Sequence, residues 1–310
     1  MKLTAAVVQT ASVLFDTPAT VLRALDLMSE AAKQGAQVVV FPEAFIGGYP
    51  KGADFHIYIG ARTPQGRAEY LHYFKAAVSM DGPEIAQLAK AAGEHKLYVC
   101  MGIIERDGGT LYCTAVYLGP DGAVLGKHRK LMPTALERLV WGFGDGSTLR
   151  AVDTPFGKLG AVICWENYMP ALRMAMYQQR VTLYCAPTAD DRDSWASTMQ
   201  HIALEGRCFV LSSCQHLRRS QFPGDAMNNR LPEAPDTVLM RGGSMIIDPL
   251  GKVLAAPVYN ADALLTAELD LDTVAQAQMD FDPVGHYARP DVFSLRVNTA
   301  SQQAVRLEGS

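Results

Sequence analysis

The feature that most narrows the fold is a series of short, largely apolar runs, each ending abruptly and most separated from the next by segments with helical spacing. Leu3–Gln9, Gln37–Phe41, Leu97–Ile104, Leu159–Ile163, Val181–Cys185, Cys208–Ser213 and Leu264–Leu269 are runs of this kind. They are too short for core helices and lack a strict two-residue alternation, so they read as strands buried on both faces. Between the first two, Val21, Leu22, Leu25, Met28 and Ala32 recur at helical spacing behind a Thr17-Pro18 start, and Gly35 closes the segment. Pro64–Val78, Pro83–His95, Ala171–Gln179 and Trp195–Gly206 read as further helices, the last capped by Asp193 or Ser194. Ile46–Ala61 and Gln221–Pro235 read as loops, and Pro133–Trp141 as a short turn or helix. Alternation alone would give a parallel sheet. Two segments break it, since Leu111–Leu118 and Ala123–Gly126 flank Gly119-Pro120-Asp121-Gly122, and Ser244–Ile247 and Lys252–Leu254 flank Asp248-Pro249-Leu250-Gly251. Both are hairpin turns. The expectation is one α/β domain with mixed sheets, ending in a tail.

The totals exclude several classes of function. Among 310 residues, 49% are hydrophobic and 19% charged, enough for a sizeable core. A net charge of -4 argues against a nucleic-acid partner, and Lys127-His128-Arg129-Lys130 and Arg218-Arg219 are too short to track phosphates. No run approaches the ~18 apolar residues of a membrane span. The apolar N-terminus is interrupted by Thr4, Gln9 and Thr10, which fits a strand better than a signal peptide. Six cysteines, at 100, 113, 164, 185, 208 and 214, form no C-x-x-C pair and lie in strand-like runs. A reducing cytoplasm is the expected setting, with no disulfide framework. The histidines show no metal-ligand spacing, so a zinc site has no support; no organic cofactor is expected either.

Three chemically useful groups sit at the ends of different strands. Leu159–Ile163 stops at Cys164, and a helix begins soon after at Pro170, placing a thiol at a strand-to-helix corner. A buried cysteine that merely packs is the alternative. Gln37–Phe41 runs straight into Pro42-Glu43, and the first hairpin delivers Lys127-His128-Arg129-Lys130. A thiol needs a base to take its proton and a cation to hold the developing charge, and Glu43 with Lys130 supplies both. His128 would be the base in a Cys-His pair, but its charged run reads as solvated or structural.

With these residues in view, the chain resembles a nitrilase over residues 2–298. The resemblance lies in Phe41-Pro42-Glu43-Ala44-Phe45-Ile46-Gly47-Gly48-Tyr49-Pro50, His128-Arg129-Lys130-Leu131-Met132-Pro133-Thr134, and Glu137-Arg138 with Trp141-Gly142. It continues in Gly144-Asp145-Gly146-Ser147, Cys164-Trp165-Glu166-Asn167-Tyr168-Met169-Pro170 and Gly285-His286-Tyr287-Ala288-Arg289-Pro290. The resemblance implies a four-layer αββα sandwich with two mixed sheets over 1–298 and a short tail at 299–310. Pairing of two copies into a dimer is implied too, although the short tail argues against long spirals. It makes Glu43 the general base, Lys130 the charge stabiliser and Cys164 the nucleophile. Lys127 competes for the lysine role, but its context fits less well. Glu137 becomes a positioning carboxylate, with a salt bridge to Arg138 or Lys130 as the plainer alternative. The backbone N–H of Trp165 helps hold the anion.

The implied substrates are a small nitrile and water. Tyr49, Tyr58, Tyr168 and Trp195 are the candidates for lining the pocket, although such aromatics equally serve a core or an interface. An amidase or carbamoylase of the same superfamily shares the three catalytic residues, and a cyanide-hydrolysing relative is a narrower rival. The non-enzymatic rival is a silent assembly protein built on this fold.

Overall fold

The computed structural model describes residues 1–222 and 230–305. The elements in chain order are β1 (Lys2–Gln9), α1 (Thr17–Lys33), β2 (Val38–Val40), β3 (Ile57–Tyr58), β4 (Ala61–Arg62), α2 (Pro64–Ala76), α3 (Pro83–His95), β5 (Tyr98–Asp107), β6 (Thr110–Leu118) and β7 (Val124–Arg129). After these come β8 (Val152–Thr154), β9 (Gly157–Ala161), α4 (Pro170–Gln178), β10 (Val181–Thr188), α5 (Asp193–Gly206), β11 (Phe209–Cys214), β12 (His216–Arg218) and β13 (Val238–Arg241). The last are β14 (Met245–Ile247), β15 (Val253–Ala255), β16 (Ala263–Asp270) and α6 (Asp272–Asp280).

Two six-stranded sheets share one construction. The first runs β16-β1-β2-β5-β6-β7 and the second β15-β14-β11-β10-β9-β8. Each has three parallel strands at its centre, β1-β2-β5 and β9-β10-β11, with antiparallel strands outside them. Side-chain alternation then sorts the layers. In β1, Ala5 and Val7 face a core shared with Leu183, Cys185 and Leu211 of the second sheet. Their neighbours Ala6 and Val8 turn outward, onto Val21, Ala24 and Met28 of α1 and Leu88 and Ala92 of α3. In the second sheet Tyr184, Ala186 and Val210 pack against Leu172 and Met176 of α4 and Met199 and Ile202 of α5. This is the expected αββα sandwich with mixed sheets. A buried tie crosses between the sheets, where the Ala161 N–H donates to the Tyr117 hydroxyl at 2.8 Å.

Several boundaries differ from expectation. The strand expected at 97–104 runs to Asp107 and turns through Gly108-Gly109 into β6, so the first hairpin is part of a three-stranded meander. Its last arm reaches Arg129 instead of stopping at Gly126, which carries Lys127 and His128 inside a strand. The β8–β9 hairpin and α6 were not expected, being short or largely polar. Helix α1 is capped by Asp16, whose carboxylate accepts the Ala19 N–H at 3.0 Å, and not by Thr17. Helix α5 starts at Asp193 with no side-chain cap. Of the loop expected at 221–235, residues 223–229 lie outside the described residues, as do 306–310 of the tail. The described part of the C-terminal segment lies against the body, with the Gln302 N–H donating to Asp145 at 2.7 Å.

Candidate active site

Glu43 lies three residues beyond the end of β2, in a tight turn whose next residue, Ala44, has a left-handed backbone (φ 51). The turn packs on Gly102 of β5, and the Gln215 side chain holds the Glu43 carbonyl at 3.1 Å. Lys130 follows β7 directly, with its N–H donating to the Cys113 carbonyl at 2.8 Å. The first sheet therefore presents base and lysine side by side. Lys130 Nζ donates to Glu43 Oε1 at 2.6 Å and to Glu137 Oε2 at 2.8 Å, with no exposure of the lysine side chain. Glu137 is held in turn by the Thr134 N–H at 2.6 Å and the Tyr49 hydroxyl at 2.8 Å. The Glu137–Lys130 bridge is present, whereas Arg138 donates instead to the Pro133 carbonyl at 3.0 Å.

The second sheet brings the thiol. After β9, Val162 still pairs with Cys185 at 3.0 Å, and the chain then enters a 3₁₀ turn over Cys164–Tyr168. Cys164 takes a left-handed backbone (φ 50), a strained state for a residue with a side chain. Its neighbours fix it there. The Asn167 amide donates to the Val162 and Cys164 carbonyls at 2.9 and 2.8 Å, and Tyr184 donates to the Asn167 side-chain oxygen at 2.9 Å. The Glu166 carboxylate accepts the Ile163 N–H at 2.8 Å. Trp165 is the second residue of the turn, a position whose N–H has no partner within it.

Burial governs the electrostatics. It pushes the Glu43 carboxyl above the usual carboxylate range, with the Glu137 charge adding to the rise and Lys130 opposing it. Burial also disfavours the Lys130 charge, but the surrounding acidic groups, Glu43 first, outweigh it, and the ammonium persists well above the ordinary lysine range. Burial and Glu43 push the Cys164 thiol up, so it rests protonated. One atom stands out. Glu43 Oε1 receives Lys130 and, at 3.5 Å, the Cys113 thiol, while Oε2 is buried with no hydrogen-bond partner. The Cys164 thiol interacts with this carboxyl and favours its charged form, so a proton donor lies near the unpartnered oxygen. The arrangement holds a neutral thiol, a desolvated base with one free lone-pair position, and a fixed cation.

The other expected residues are distributed as follows. Lys127 turns away to pair with Glu105, and His128 is buried against Glu166, neither solvated nor aimed at Cys164. Tyr49 joins the site through Glu137, and burial keeps its hydroxyl protonated. Tyr49 and Tyr58 line a groove of about 530 Å³ with Phe55, Ile57, Leu136 and Leu139. Tyr168 is 40% exposed and lies edge-on between Trp165 and Trp195. Trp195 stands behind Tyr168. It is 2% exposed, belongs to the core between α5 and the second sheet, and donates to Ser212 at 2.9 Å. The Trp165 indole donates to Asp190 at 2.8 Å, under the Arg192 guanidinium. A larger groove, of about 680 Å³, lies under the C-terminal segment among Leu149, Met174, Tyr287 and Phe293, and none of the three catalytic candidates lines it. Sequence reasoning missed Cys113 and the roles of Glu166 and Asn167. The last two lie inside the Cys164 stretch, where their polar character in a buried setting was the available signal.

The sequence model of the carbon-nitrogen hydrolase family matches residues 4–279. An aliphatic nitrilase of Sinorhizobium fredii is 63% identical over 304 residues, which cover 98% of each chain. A bifunctional nitrilase/nitrile hydratase of Lupinus angustifolius is 55% identical, covering 94% of this chain and 85% of that one. Among solved structures, Nit3 of Saccharomyces cerevisiae, a member of branch 10 of the nitrilase superfamily, superposes with a TM-score of 0.71 at 21% identity, covering 92% of this chain and 96% of that one. A carbon-nitrogen hydrolase from Helicobacter pylori does so with a TM-score of 0.73 at 19% identity, covering 94% and 97%. At that identity the superpositions speak for the fold.

Proposed function

The chain belongs to the carbon-nitrogen hydrolase family, and from that premise we propose that it is a nitrilase using Cys164 as nucleophile, Glu43 as base and Lys130 as charge stabiliser. The observation that carries the assignment is the unpartnered, buried oxygen of Glu43 beside the Cys164 thiol, with Lys130 fixed on the other oxygen. The open oxygen takes the thiol proton as sulfur bonds to the nitrile carbon. Negative charge develops on the nitrile nitrogen, where Lys130 and the Trp165 N–H stabilise it, and the proton that Glu43 took passes to that nitrogen, completing a thioimidate and restoring the carboxylate. Water, deprotonated by Glu43, adds to that carbon. The C–N bond breaks, the protonated nitrogen leaves as ammonia, and a thioester remains. A second water breaks the C–S bond, releasing the carboxylic acid and returning the thiol. Breakage of the C–S bond at the first tetrahedral stage instead yields an amide. The relative named a bifunctional nitrilase/nitrile hydratase supports that side product. Glu137 acts by holding Lys130 through its Oε2.

An aliphatic nitrile is the substrate class we infer, supported by the name of the 63% identical relative. Self-association and a reducing compartment belong to the same proposal. Phe293 and Tyr287 are 78% and 60% exposed beside the apolar groove, and all six cysteines are buried and unpaired. No helix among the described residues is long and apolar enough to cross a membrane. We take residues 1–298 as one domain, supported by the core that both sheets share.

The test is ammonia release from an aliphatic nitrile and from its matching amide. Cys164→Ala and Glu43→Gln should each lose nearly all turnover while remaining folded. Near-parental rates in either variant would remove that residue from the mechanism. Faster turnover of the amide than of the nitrile would instead make the protein an amidase.

A further inference from the structure

The lysine and the thiol come from different sheets, so something must set their separation. Leu131 follows Lys130 at the end of β7, and Ile163 precedes Cys164 beyond β9. Both backbone N–H groups donate to one side chain, with Leu131 N 2.6 Å from Glu166 Oε1 and Ile163 N 2.8 Å from Oε2. The third side of that carboxylate is closed by His128 Nε2, at 3.3 and 3.1 Å from the two oxygens. A carboxylate has no hydrogen to give, so this ring nitrogen carries the proton of the bond. Glu166 has no side-chain exposure and His128 only 1%, so water cannot replace any of these bonds.

We propose that Glu166 is a positioning residue for the reaction, a clamp that joins the strand end bearing Lys130 to the turn bearing Cys164 and fixes the ammonium relative to the thiol. The clamp requires a carboxylate. An amide has one accepting oxygen, and its NH₂ would meet an N–H, donor against donor, at either Leu131 or Ile163. Glutamine is otherwise nearly the same size, so Glu166→Gln tests the hydrogen bonding without opening a cavity. His128 holds the carboxylate from behind and is the secondary element.

The inference rests on reading Cys164 as the nucleophile, and its test reads that thiol directly. Alkylation of Cys164 by iodoacetamide, followed by peptide mass across a pH series, reports how readily the thiolate forms. The groups that bear on it are Glu43 and Glu137, which oppose thiolate formation, and Lys130, Thr188 and Arg192, which favour it or contact it. Loosening the clamp weakens the lysine contribution, so the alkylation midpoint of Glu166→Gln moves to higher pH. Its kcat falls by about 100-fold, the order expected for misplaced reacting groups. KM stays within about threefold, because a group that acts only on the chemical step leaves binding alone. His128→Leu keeps both backbone bonds, and its midpoint moves the same way with a smaller loss of kcat. His128→Gln restores an N–H donor and stays near the parent.

A purely structural Glu166 would lower the melting temperature but leave the folded protein with parental kcat and midpoint, and that result overturns the proposal. Should Glu166→Gln fail to fold, an unchanged midpoint in His128→Leu overturns it equally. Alkylation of Cys164 in the parent that leaves ammonia release intact would instead overturn the nucleophile assignment.

Discussion

A methyl group added at Gly102 should disable the site through Glu43, the proposed base. Gly102 lies within β5, and the turn that carries Glu43 is pressed against it. A Cβ at this position would stand 2.0 Å from the Pro42 carbonyl oxygen and 2.9 Å from both Glu43 Cα and Ala44 N. All three are backbone atoms, so no side chain can swing aside. The strand cannot retreat, because β5 is paired with β2 on one side and β6 on the other. The turn must therefore withdraw by about 1 Å before the carbon–oxygen contact ceases to be strongly repulsive. Overpacking of this kind costs about 1–3 kcal/mol of stability. A displacement of about 1 Å at a reacting group costs roughly 100-fold in rate, or ~2.7 kcal/mol of barrier. Gly102→Ala should thus remain folded, with a urea midpoint modestly lowered and ammonia release from an aliphatic nitrile reduced about 100-fold. Gly109→Ala, at a turn position where a Cβ meets nothing within 4 Å, is the control and should match the parent. A kcat for Gly102→Ala within about threefold of the parent would refute the claim that this contact sets the base.

Two further outcomes follow from the same geometry. As the proposed base Glu43 must be unprotonated to act, burial holds its pKa above the usual range, and the Glu137 charge raises it further. Glu137→Gln removes that contribution, so the acidic limb of the kcat/KM–pH profile should move to lower pH, and a limb that stays or moves up would show that another group governs it. Tyr117→Phe deprives the buried Ala161 N–H of its partner in the other sheet, which should cost about 1–3 kcal/mol in urea unfolding with activity per folded molecule retained. Stability equal to the parent would show that the tie contributes nothing.

The frame of the sandwich was legible because its central strands are apolar on both faces and end at recognisable breaks. Glu43, Lys130 and Cys164 stand at three such breaks, so their convergence was open to inference before any contact was known. The β8–β9 hairpin was hidden because Val152–Thr154 is only half-buried and too short to show a pattern. Helix α6 buries only Ala277 and so carries no apolar stripe. For Glu166 the polar character inside a buried stretch was readable, but its partners were not. Its partners are the N–H groups of Leu131 and Ile163 and the ring of His128, and backbone donors leave no trace in residue identity. For Trp195 the sequence left the role open, because an aromatic beside such a segment looks the same whether it lines a pocket or supports the residue that does.

One lysine between two carboxylates has a consequence for what enters and what leaves. With Glu43 and Glu137 ionised, the single charge of Lys130 leaves the cluster with one net negative charge, in an interior where charges are weakly screened. A nitrile is neutral and crosses that field without penalty, whereas the acid it becomes is an anion at neutral pH and is repelled by it. The cluster then acts as a one-way valve, sending product out with the charge that the reaction itself creates. The product acid should therefore inhibit more weakly than the neutral amide of the same skeleton, and an acid that inhibits the more strongly of the two would show that the valve does not exist.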